Sequence, residues 1–390
     1  MLMATLRRFS TGALKKTALF DFHANDLQAK MVPFAGYEMP VEYKERSGGV
    51  LKEHMQCRQK AALFDVSHMG QLKIRGRDRV EFINYLTVAD LNQVPANSAV
   101  LSLIMMSYGG IKDDTIITRF EDHIGMVINA GCKDKDLEYL NHFLQEFRNK
   151  GKDVTIEHLE DRALLALQGP MAAGILQPLV EADLATTKFM QARYTQLKPL
   201  NEPVLVTRCG YTGEDGFEIS IDPSKAVDLA RILLSAGGEN LLPCGLGARD
   251  SLRLEAGMCL YGHDLEENIT PIEASLLWTI PKTKRTNGGW LGADTVMQQI
   301  RDGTQKKRVG FIVQDGPSAR EGVVLYSGAE EVGKVSSGTF SPILKKGIGM
   351  AYVNSQHAKT GLEYEAKIRP NKSVQVKIEK MPFVPNNYYK

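Results

Sequence analysis

The sequence has no cysteine or histidine pattern of the kind that holds a metal or a disulfide framework. Its five cysteines are odd in number, lie far apart and include no C-x-x-C pair. This disfavours a disulfide-stapled fold and a zinc site, and reduced thiols suit a reducing compartment. The eight histidines show no H-x-x-x-H or comparable spacing, so no structural or catalytic metal is expected. The cysteines are Cys57, Cys132, Cys209, Cys244 and Cys259.

Long apolar runs, nucleotide motifs and a strong basic excess are also missing. No uninterrupted apolar stretch approaches the roughly 18 residues of a spanning helix, so no membrane insertion is expected. The glycine-rich pieces match neither a P-loop nor a dinucleotide fingerprint, which argues against nucleotide ligands. The net charge of +2 does not indicate the uniformly basic surface that binds nucleic acid, so no nucleic-acid partner is expected.

Acidic residues are absent from the first 20 positions, although these carry four cations. With their hydroxyl, Leu and Phe residues, these positions can form a basic amphipathic helix. Residues 1–16 are therefore predicted to be a transit peptide, and the protein is expected in the mitochondrial matrix. A disordered basic tail is the alternative, and a secretory signal would need a compact apolar core that is missing. The four cations are Arg7, Arg8, Lys15 and Lys16.

A chain of 390 residues predicts two or three domains. Short apolar runs around one strongly helical stretch predict an α+β unit over about 31–161, and a similar order predicts a second over 161–257. After Trp278, the charged and glycine-terminated KTKRTNGG is expected to be a linker surface. Beyond Arg308, strands and Gly turns predict a small β-barrel or sandwich.

The cations of this linker favour a solvated loop. The alternative is a surface that meets an acidic carrier protein. These cations are Lys282, Lys284 and Arg285.

The first candidate for chemistry is GGIKDDTIITRF, in which Gly109 and Gly110 make a turn into a β-branched strand that begins with Asp113 and Asp114. Neighbours in a strand point to opposite faces, so only one carboxylate can face a shared cleft. The other is expected to serve the turn or to meet solvent. Asp pairs at such junctions also cap backbone amides, which is the competing interpretation.

The second candidate is RCGYTGEDGFEISI, where two Gly-centred turns hold Tyr211 and place Glu218 on the following strand. Alternation sets Glu218 opposite its apolar neighbours. A carboxylate there can accept two N–H donors from a planar heterocycle, as a pterin or guanine-like ring requires. The alternative is that Glu218 and the acidic residues of the turn form a solvated hairpin.

The third candidate is CGLGARDSLRLEAGMCLYGHDL, which predicts a short helix stopped by Gly257, with Arg249 just upstream. An arginine at such an entrance can clamp a carboxylate with two hydrogen bonds. The competing interpretation is an ion pair within the helix, either Arg249–Asp250 or Arg253–Glu255.

Two neighbouring residues in LFDVSHMG are weaker candidates. His68 follows Asp65 and Ser67, but strand alternation gives a Ser-His-Asp triad little support, and a turn-stabilising role is favoured. Met69 is expected to line an apolar pocket. Elsewhere, SSGTFSP is interpreted as a tight turn rather than an anion cradle.

Seven motifs, taken in order, resemble the T-protein family of the glycine cleavage system over about residues 17–390. Each motif alone is weak, but seven in order over the whole chain are specific. The resemblance implies an α+β fold, a three-domain cloverleaf in which two mixed α+β domains surround a folate channel and a C-terminal antiparallel β-barrel follows. It implies a folate-binding region at 17–285 and a barrel at 286–390. The motifs are FDVSHM, GGIKDD, LALQGP, TRCGYTGEDGFEIS, GLGARDSLRLEAGMCLYGHDL, SSGTFSP and MPFVPNNYY.

The same resemblance implies an aminomethyltransferase. Tetrahydrofolate is the implied co-substrate, and a lipoylated H-protein is the implied carrier of the aminomethyl group. The products would be methylenetetrahydrofolate, ammonia and the dihydrolipoyl carrier. A functional complex with a P-protein and an L-protein is also implied, whereas no metal or redox cofactor is.

Matching the motifs residue by residue implies roles for individual side chains. Asp114, the second aspartate of G-G-x-x-D-D, is the implied catalytic residue that orients and activates a folate nitrogen. Glu218 is the implied pterin ligand, and Arg249 and Tyr388 are implied to line the folate site. The other predicted folate-binding residues are Met69 and Tyr211.

Three residues depart from the family pattern and concern the wall of the channel. Tyr108 and Lys112 stand where smaller or apolar residues are usual, and Tyr37 replaces a common tryptophan. A related folate-binding scaffold for iron–sulfur cluster maintenance typically carries a K-G-C-x-x-G-Q-E-like motif, but this chain has EAGMCLYGHD and retains Asp114, which favours the enzyme. A folate module of a sarcosine or dimethylglycine dehydrogenase would need a flavin domain with a dinucleotide fingerprint, and none is present.

Overall fold

The computed structural model describes residues 13–160 and 162–390. Most of the predicted transit peptide, residues 1–16, therefore lies outside the described residues. None of the described helices is long and apolar enough to cross a membrane. The architecture is α+β with a closed C-terminal antiparallel barrel, which confirms the predicted fold class.

The α-helices of the described chain are α1 (Lys44–Ser47), α2 (Val50–Gln59), α3 (Arg79–Leu86), α4 (Lys133–Asn149), α5 (Ala172–Leu176), α6 (Ala226–Gly237), α7 (Leu246–Glu255), α8 (Lys282–Asn287) and α9 (Ala293–Asp302). The strands are β1 (Lys30–Phe34), β2 (Tyr37–Glu42), β3 (Ala61–Asp65), β4 (Gly70–Arg75), β5 (Ser98–Met105), β6 (Ile111–Arg119), β7 (Ile124–Ile128), β8 (Thr155–His158), β9 (Ala163–Gln168), β10 (Ala192–Leu197), β11 (Glu202–Thr207), β12 (Gly216–Ile221), β13 (Leu241–Pro243), β14 (Lys306–Val313), β15 (Val324–Ser327), β16 (Glu330–Ser341), β17 (Lys346–Asn354), β18 (Glu363–Arg369) and β19 (Lys372–Glu379).

A five-stranded sheet with the order β5-β6-β7-β4-β8 is packed against α3 and α4. The buried apolar residues of α4 include Leu140, Leu144 and Phe147, whose spacing of i, i+4 and i+7 forms one stripe along a helix. This stripe packs with Ile104 of β5 and Ile117 of β6 in a single core. One face of the sheet around β6 is therefore closed off by α4.

A six-stranded sheet has the order β10-β11-β12-β9-β3-β13. Strand β3 precedes the five-stranded sheet in the chain, yet it pairs antiparallel with β9, with Leu63 opposite Leu167. The predicted first unit, 31–161, is therefore wrong at its beginning, because residues 61–65 belong to the other sheet. Apolar periodicity identifies a strand but not a pairing partner so far along the chain.

The barrel closes in the order β14-β17-β16-β15-β18-β19. SSGTFSP, predicted as a tight turn, instead continues β16, and its small residues reflect close packing. A Cβ added at Gly338 would lie 1.9 Å from the Ala319 carbonyl oxygen. The Ser336 hydroxyl donates to Asp264 Oδ1 at 2.6 Å, which attaches the barrel to the segment that follows α7.

The segment KTKRTNGG, predicted as a solvated linker, folds as α8 and its continuation. Lys284 is only 8% exposed, and its Nζ donates to the backbone carbonyls of Asn84 and Thr87. Burial lowers the pKa of Lys284 to about 8. The prediction is wrong at Lys284 because α8 packs against the end of α3, whereas Lys282 remains exposed.

Candidate active site

The chain is irregular next to the two aspartates of β6. Pairing with β5 is regular as far as Asp113, which lies opposite Ile104. The next pair joins Met105 to Ile111, so Lys112 is an extra residue without a partner. A β-bulge of this kind bends the strand and re-aims nearby side chains, and bulges are frequent beside active sites.

Asp113 and Asp114 occupy opposite faces of the sheet, as strand alternation predicts. Asp114 lies opposite Leu103, which packs in a core shared with Cys259. Asp113 lies opposite Ile104, which packs beneath α4. Directly opposed residues share a face, so Asp114 is turned away from α4 and Asp113 toward it.

The predicted surroundings of Asp113 are wrong. Its side chain was expected to serve the Gly109–Gly110 turn or to meet solvent, but the residue is 0% exposed. Its Oδ2 accepts a hydrogen bond from the Asn129 backbone N–H at 2.9 Å, and its Oδ1 accepts one from Asn129 Nδ2, also at 2.9 Å. Helix α4 causes the difference, because no local pattern shows which face of a strand a distant helix will cover.

Asp114 is held by the same amide from the other side. Its Oδ1 accepts a hydrogen bond from Asn129 Nδ2 at 2.9 Å. Burial and the like charge of Asp113 raise the pKa of Asp114 to about 7, although the Asn129 bond opposes that shift. A carboxyl group with a pKa near neutrality can both give and accept a proton. Sequence reasoning missed Asn129, whose one local signal is its position directly after β7.

Glu218 lies on β12 between Phe217 and Ile219, both of which are buried in the core of the six-stranded sheet. Alternation turns Glu218 away from that core. Burial raises the pKa of Glu218, against the opposing effects of the Arg249 charge and of a hydrogen bond from the Cys209 thiol. The carboxyl group is thus partly shielded from water, with capacity left for further donors.

The turns before β12 are ordered by ion pairs. Glu214 is 2% exposed, and its Oε1 lies 2.8 Å from Arg58 Nη1. Asp215 accepts hydrogen bonds from the Nε and Nη2 atoms of Arg208. The alternative of a solvated hairpin is therefore wrong, and these turns form a fixed platform beside Glu218.

Arg249 lies within α7, not upstream of it, and α7 ends before Gly257 as predicted. Its guanidinium carbon lies 4.9 Å from the centroid of the Tyr211 ring. Its Nη1 atom is buried and has no hydrogen-bond partner among the described residues. The Tyr211 hydroxyl donates to the Cys259 carbonyl oxygen, which fixes the ring. Asp250, one of the competing partners, pairs with another arginine of the helix.

The C-terminal tail brings Tyr388 to the platform. The Asn387 backbone N–H donates to the Gly213 carbonyl at 2.8 Å, and its Nδ2 donates to Glu214 Oε2 at 3.0 Å. The Tyr388 ring stacks on Phe189 with 3.9 Å between centroids and 11° between planes. Burial raises the pKa of Tyr388 to about 12. The tail is therefore anchored beside β12, where its aromatic ring is held in place.

His68 forms neither the triad nor the turn contact considered for it. It is 3% exposed, and its Nδ1 has no partner among the described residues. Asp65 instead bonds to His23 Nε2 at 3.0 Å. The edges of Phe34 and Tyr37 pack near the imidazole, with centroids 5.7 and 6.2 Å away. Burial lowers the pKa of His68 to about 4, so the ring is neutral at physiological pH.

The predicted site residues come together from both sheets, α7 and the tail. Arg249 acts electrostatically on Glu218 and contacts the Tyr211 ring. Asp114 is among the charges that raise the pKa of Tyr211, after the larger effect of burial. Met69 packs against a core that includes residues of α7. Carboxyl acceptors, an arginine with an open N–H and an aromatic face suit a planar heterocycle that has N–H donors and carries a carboxylate, as a folate does.

Two sequence families match most of the chain. The GCVT N-terminal domain matches residues 19–284, and the glycine cleavage T-protein C-terminal barrel domain matches residues 306–385. Similar proteins include the mitochondrial aminomethyltransferase of Dictyostelium discoideum, 49% identical over 98% of this chain and 95% of that protein. The mitochondrial aminomethyltransferase of Homo sapiens is 43% identical over 96% of this chain and 91% of that protein.

A solved structure agrees with these matches. The glycine cleavage system aminomethyltransferase T from Bartonella henselae is 36% identical to this chain, covers 97% of it and is itself covered completely, with a TM-score of 0.88. The similarity therefore extends over both sheets and the barrel. The chain belongs to the aminomethyltransferase, or T-protein, family of the glycine cleavage system.

Proposed function

We propose that this aminomethyltransferase depends on tetrahydrofolate. It takes the aminomethyl group from the lipoyl arm of an H-protein, passes the methylene carbon to tetrahydrofolate, and releases ammonia and the dihydrolipoyl carrier. The observation that carries the proposal is the convergence of Asp114 and Glu218 with Arg249, whose Nη1 is buried without a partner in the described part of the chain. Each of these groups has bonding capacity that the protein itself leaves open.

The site residues divide into those that bind the ligand and one that takes part in the reaction. Tetrahydrofolate supplies the nitrogen nucleophiles that accept the one-carbon unit. Glu218 accepts N–H donors of the pterin, and Arg249 binds an acceptor or carboxylate of the ligand. Tyr388, Tyr211 and the apolar side chain of Met69 provide the surfaces against which a flat ring packs.

Asp114 is the group that handles charge and protons. Asn129 holds its Oδ1, which leaves Oδ2 to meet the reacting groups. Expulsion of a thiolate from an aminomethyl thioether develops positive charge, and an ionised Asp114 stabilises that charge. A pKa of about 7 also lets the same carboxyl exchange a proton near neutral pH. A site closed to water would limit loss of the one-carbon unit by hydrolysis.

The proposal extends to organisation and partners. We assign folate binding to residues 17–285 and the barrel to 286–390, and the family matches at 19–284 and 306–385 support this division. The lipoylated H-protein is the direct partner, and a P-protein and an L-protein complete the functional complex. Relatives named mitochondrial support a location in the mitochondrial matrix, with residues 1–16 as the transit peptide.

Ammonia release from aminomethylated H-protein, measured with and without tetrahydrofolate, tests the function. Fast release that requires tetrahydrofolate, with formation of methylenetetrahydrofolate, is the expected result. Release that is equally slow in both conditions would contradict it and would fit a folate-binding scaffold instead.

Location is tested with reporter fusions. A reporter that carries residues 1–20 is expected in mitochondria, because a basic, acid-free amphipathic segment is the import signal. A matched fusion in which the four cations of this segment are replaced by glutamine should stay in the cytosol. Equal distribution of the two fusions would contradict the assignment.

A further inference from the structure

A second cluster of titratable groups lies on the α4 side of β6, across the sheet from Asp114. Asp113, Cys132 and Asp136 each place a carboxylate or sulfur atom within 4.8 Å of the others. All three residues are buried, and Asp136 is 0% exposed. Neither carboxylate oxygen of Asp136 has a hydrogen-bond partner among the described residues. A carboxylate left without any donor is not stable in such surroundings, so something must neutralise it.

A proton neutralises Asp136 better than a metal ion does. Lys112 and Lys135 lie close enough to act on Asp136 electrostatically, and their positive charges disfavour a further cation beside them. The same charges lower the pKa of Asp136, but burial and the charge of Asp113 have the larger, opposite effect. Burial, together with the negative charge of Asp113, raises the pKa of Asp136. Of two carboxyl groups at such short range, one carries a proton.

Hydrogen-bond directions show which carboxyl group holds that proton. The Asn129 backbone N–H and Nδ2 both donate to Asp113, one to each oxygen. A proton on Asp113 would compete with one of these donors. Asp136 accepts no hydrogen bond from residues 13–160 or 162–390, so its O–H can donate to Asp113 without a conflict.

The cluster is connected to the reacting side of the sheet. Asn129 Nδ2 bonds to Asp113 Oδ1 and to Asp114 Oδ1, both at 2.9 Å. The orientation of this amide therefore depends on Asp113 being an acceptor. A continuous path leads from Asp136 through Asp113 and Asn129 to the carboxyl group that faces the substrate.

We propose that Asp136 is a positioning residue for aminomethyl transfer: as a neutral acid it donates to Asp113, keeps Asp113 ionised, and so holds Asn129 and Asp114 in place. This inference rests on the proposed function of Asp114. The groups that face Asp136 are Asp113 and Lys112 from β6, Cys132 and Lys135 at the start of α4, and Tyr261 from the segment after α7.

The test compares two substitutions of Asp136 in the full-length protein. Asp136→Asn retains an N–H donor toward Asp113 and should keep single-turnover transfer within about threefold of the unmodified protein. Asp136→Ala removes the donor, so Asp113 takes up the proton and the Asn129 contacts are lost. Transfer near neutral pH should then slow by about tenfold or more, while the folate dissociation constant changes little. Asp134→Asn, at an exposed aspartate in the first turn of α4, is the control and should leave transfer unchanged.

The pH profile separates positioning from a general loss of structure. A donor beside Asp113 favours its ionised form, and Asp136→Ala lacks that donor. Transfer by Asp136→Ala should therefore recover as the pH rises, and its acidic limb should lie at higher pH than in Asp136→Asn. Equal impairment of the two variants, or a normal profile in a folded Asp136→Ala, would overturn the proposal.

Infrared spectroscopy tests whether Asp136 is protonated, even if Asp136→Ala does not fold. At about pH 9, where Asp114 is ionised, a protonated carboxyl band should be present and should disappear in Asp136→Asn. Absence of the band would refute the proposal that Asp136 is a neutral acid. One equivalent of bound metal that is lost in Asp136→Asn would refute it as well. The band does not depend on activity, so it stays informative if the unmodified protein fails to transfer the aminomethyl group and the proposed function is wrong.

Discussion

Arg249 and Arg253 lie one turn apart on α7 and differ in what they bind. Arg253 donates to Asp250 at 2.9 Å, to Asp264 at 2.7 Å and to the Ser337 hydroxyl at 2.9 Å. Arg249 contacts the face of Tyr211 but leaves Nη1 buried without a partner among the described residues. Arg253 joins α7 to the barrel, whereas Arg249 keeps one N–H donor that no described residue accepts.

The buried and partly buried carboxyl groups differ in the same way. Glu255 and Asp264 have hydrogen-bonded cationic partners, and their pKa values are lowered although burial opposes this. Glu218 and Asp114 have fewer such partners, and burial raises their pKa values. An unpaired buried polar group destabilises a fold by roughly 1–3 kcal/mol. Fully paired groups therefore hold the architecture together, whereas Glu218 and Asp114 keep hydrogen-bonding capacity for a ligand.

The largest effect that this comparison predicts is on chemistry. Asp114→Asn keeps the size of the side chain but removes its charge, so single-turnover formation of methylenetetrahydrofolate should slow by about 10²–10⁴-fold. Folate affinity should change much less, because Glu218 and Arg249 are intact. Asp122→Asn, an exposed aspartate beyond the end of β6, is the matched control and should be near normal. Comparable, mild effects of both substitutions would remove Asp114 from the reaction.

The next effect is on stability and separates the two arginines directly. Arg253→Met leaves the buried Asp264 carboxylate without its arginine partner and should lower the free energy of unfolding by about 3–5 kcal/mol. Arg249→Met removes an unsatisfied donor, so the free energy of unfolding should stay within about 1 kcal/mol of the starting value or rise. Denaturant titration of both variants makes the measurement. Similar losses for the two arginines would show that the distinction between them is wrong.

Local patterns were sufficient for much of the site. Alternation correctly placed Asp113 and Asp114 on opposite faces and Glu218 away from the apolar core, because side-chain direction in a strand is a local property. Contacts from distant segments were not accessible in this way. The burial of Asp113 beneath α4, the contacts of Asn129 and the packing of Lys284 against α3 all depend on tertiary structure that no window of the sequence contains.

A smaller effect is expected on ligand affinity. Glu218→Ala and Arg249→Ala each remove a desolvated, charge-assisted contact of about 1.5–3 kcal/mol, so the folate dissociation constant should rise by one to two decades. Calorimetric titration measures this, and Lys282→Ala provides an exposed cation as the control. Unchanged affinity in folded variants would mean that Glu218 and Arg249 do not bind folate.

The smallest effect, roughly a factor of ten, is the response of the reaction to pH near neutrality. Burial and the Asp113 charge raise the pKa of Asp114 to about 7 in the free protein, and the ionised form stabilises positive charge. The kcat/KM for tetrahydrofolate reports the free enzyme, so it should fall about tenfold per pH unit below this range and level off above it.

Stability should change in the opposite direction, because a carboxyl group whose pKa is raised in the folded state binds protons more tightly than in the unfolded chain. As the pH rises from about 4 to 7, ionisation of Asp114 therefore destabilises the fold, and Asp114→Asn should gain stability relative to the unmodified protein over that interval. A kcat/KM that is flat between about pH 6 and 8, with no difference in the pH dependence of unfolding, would show that Asp114 is already ionised throughout and that its burial does not tune the reaction.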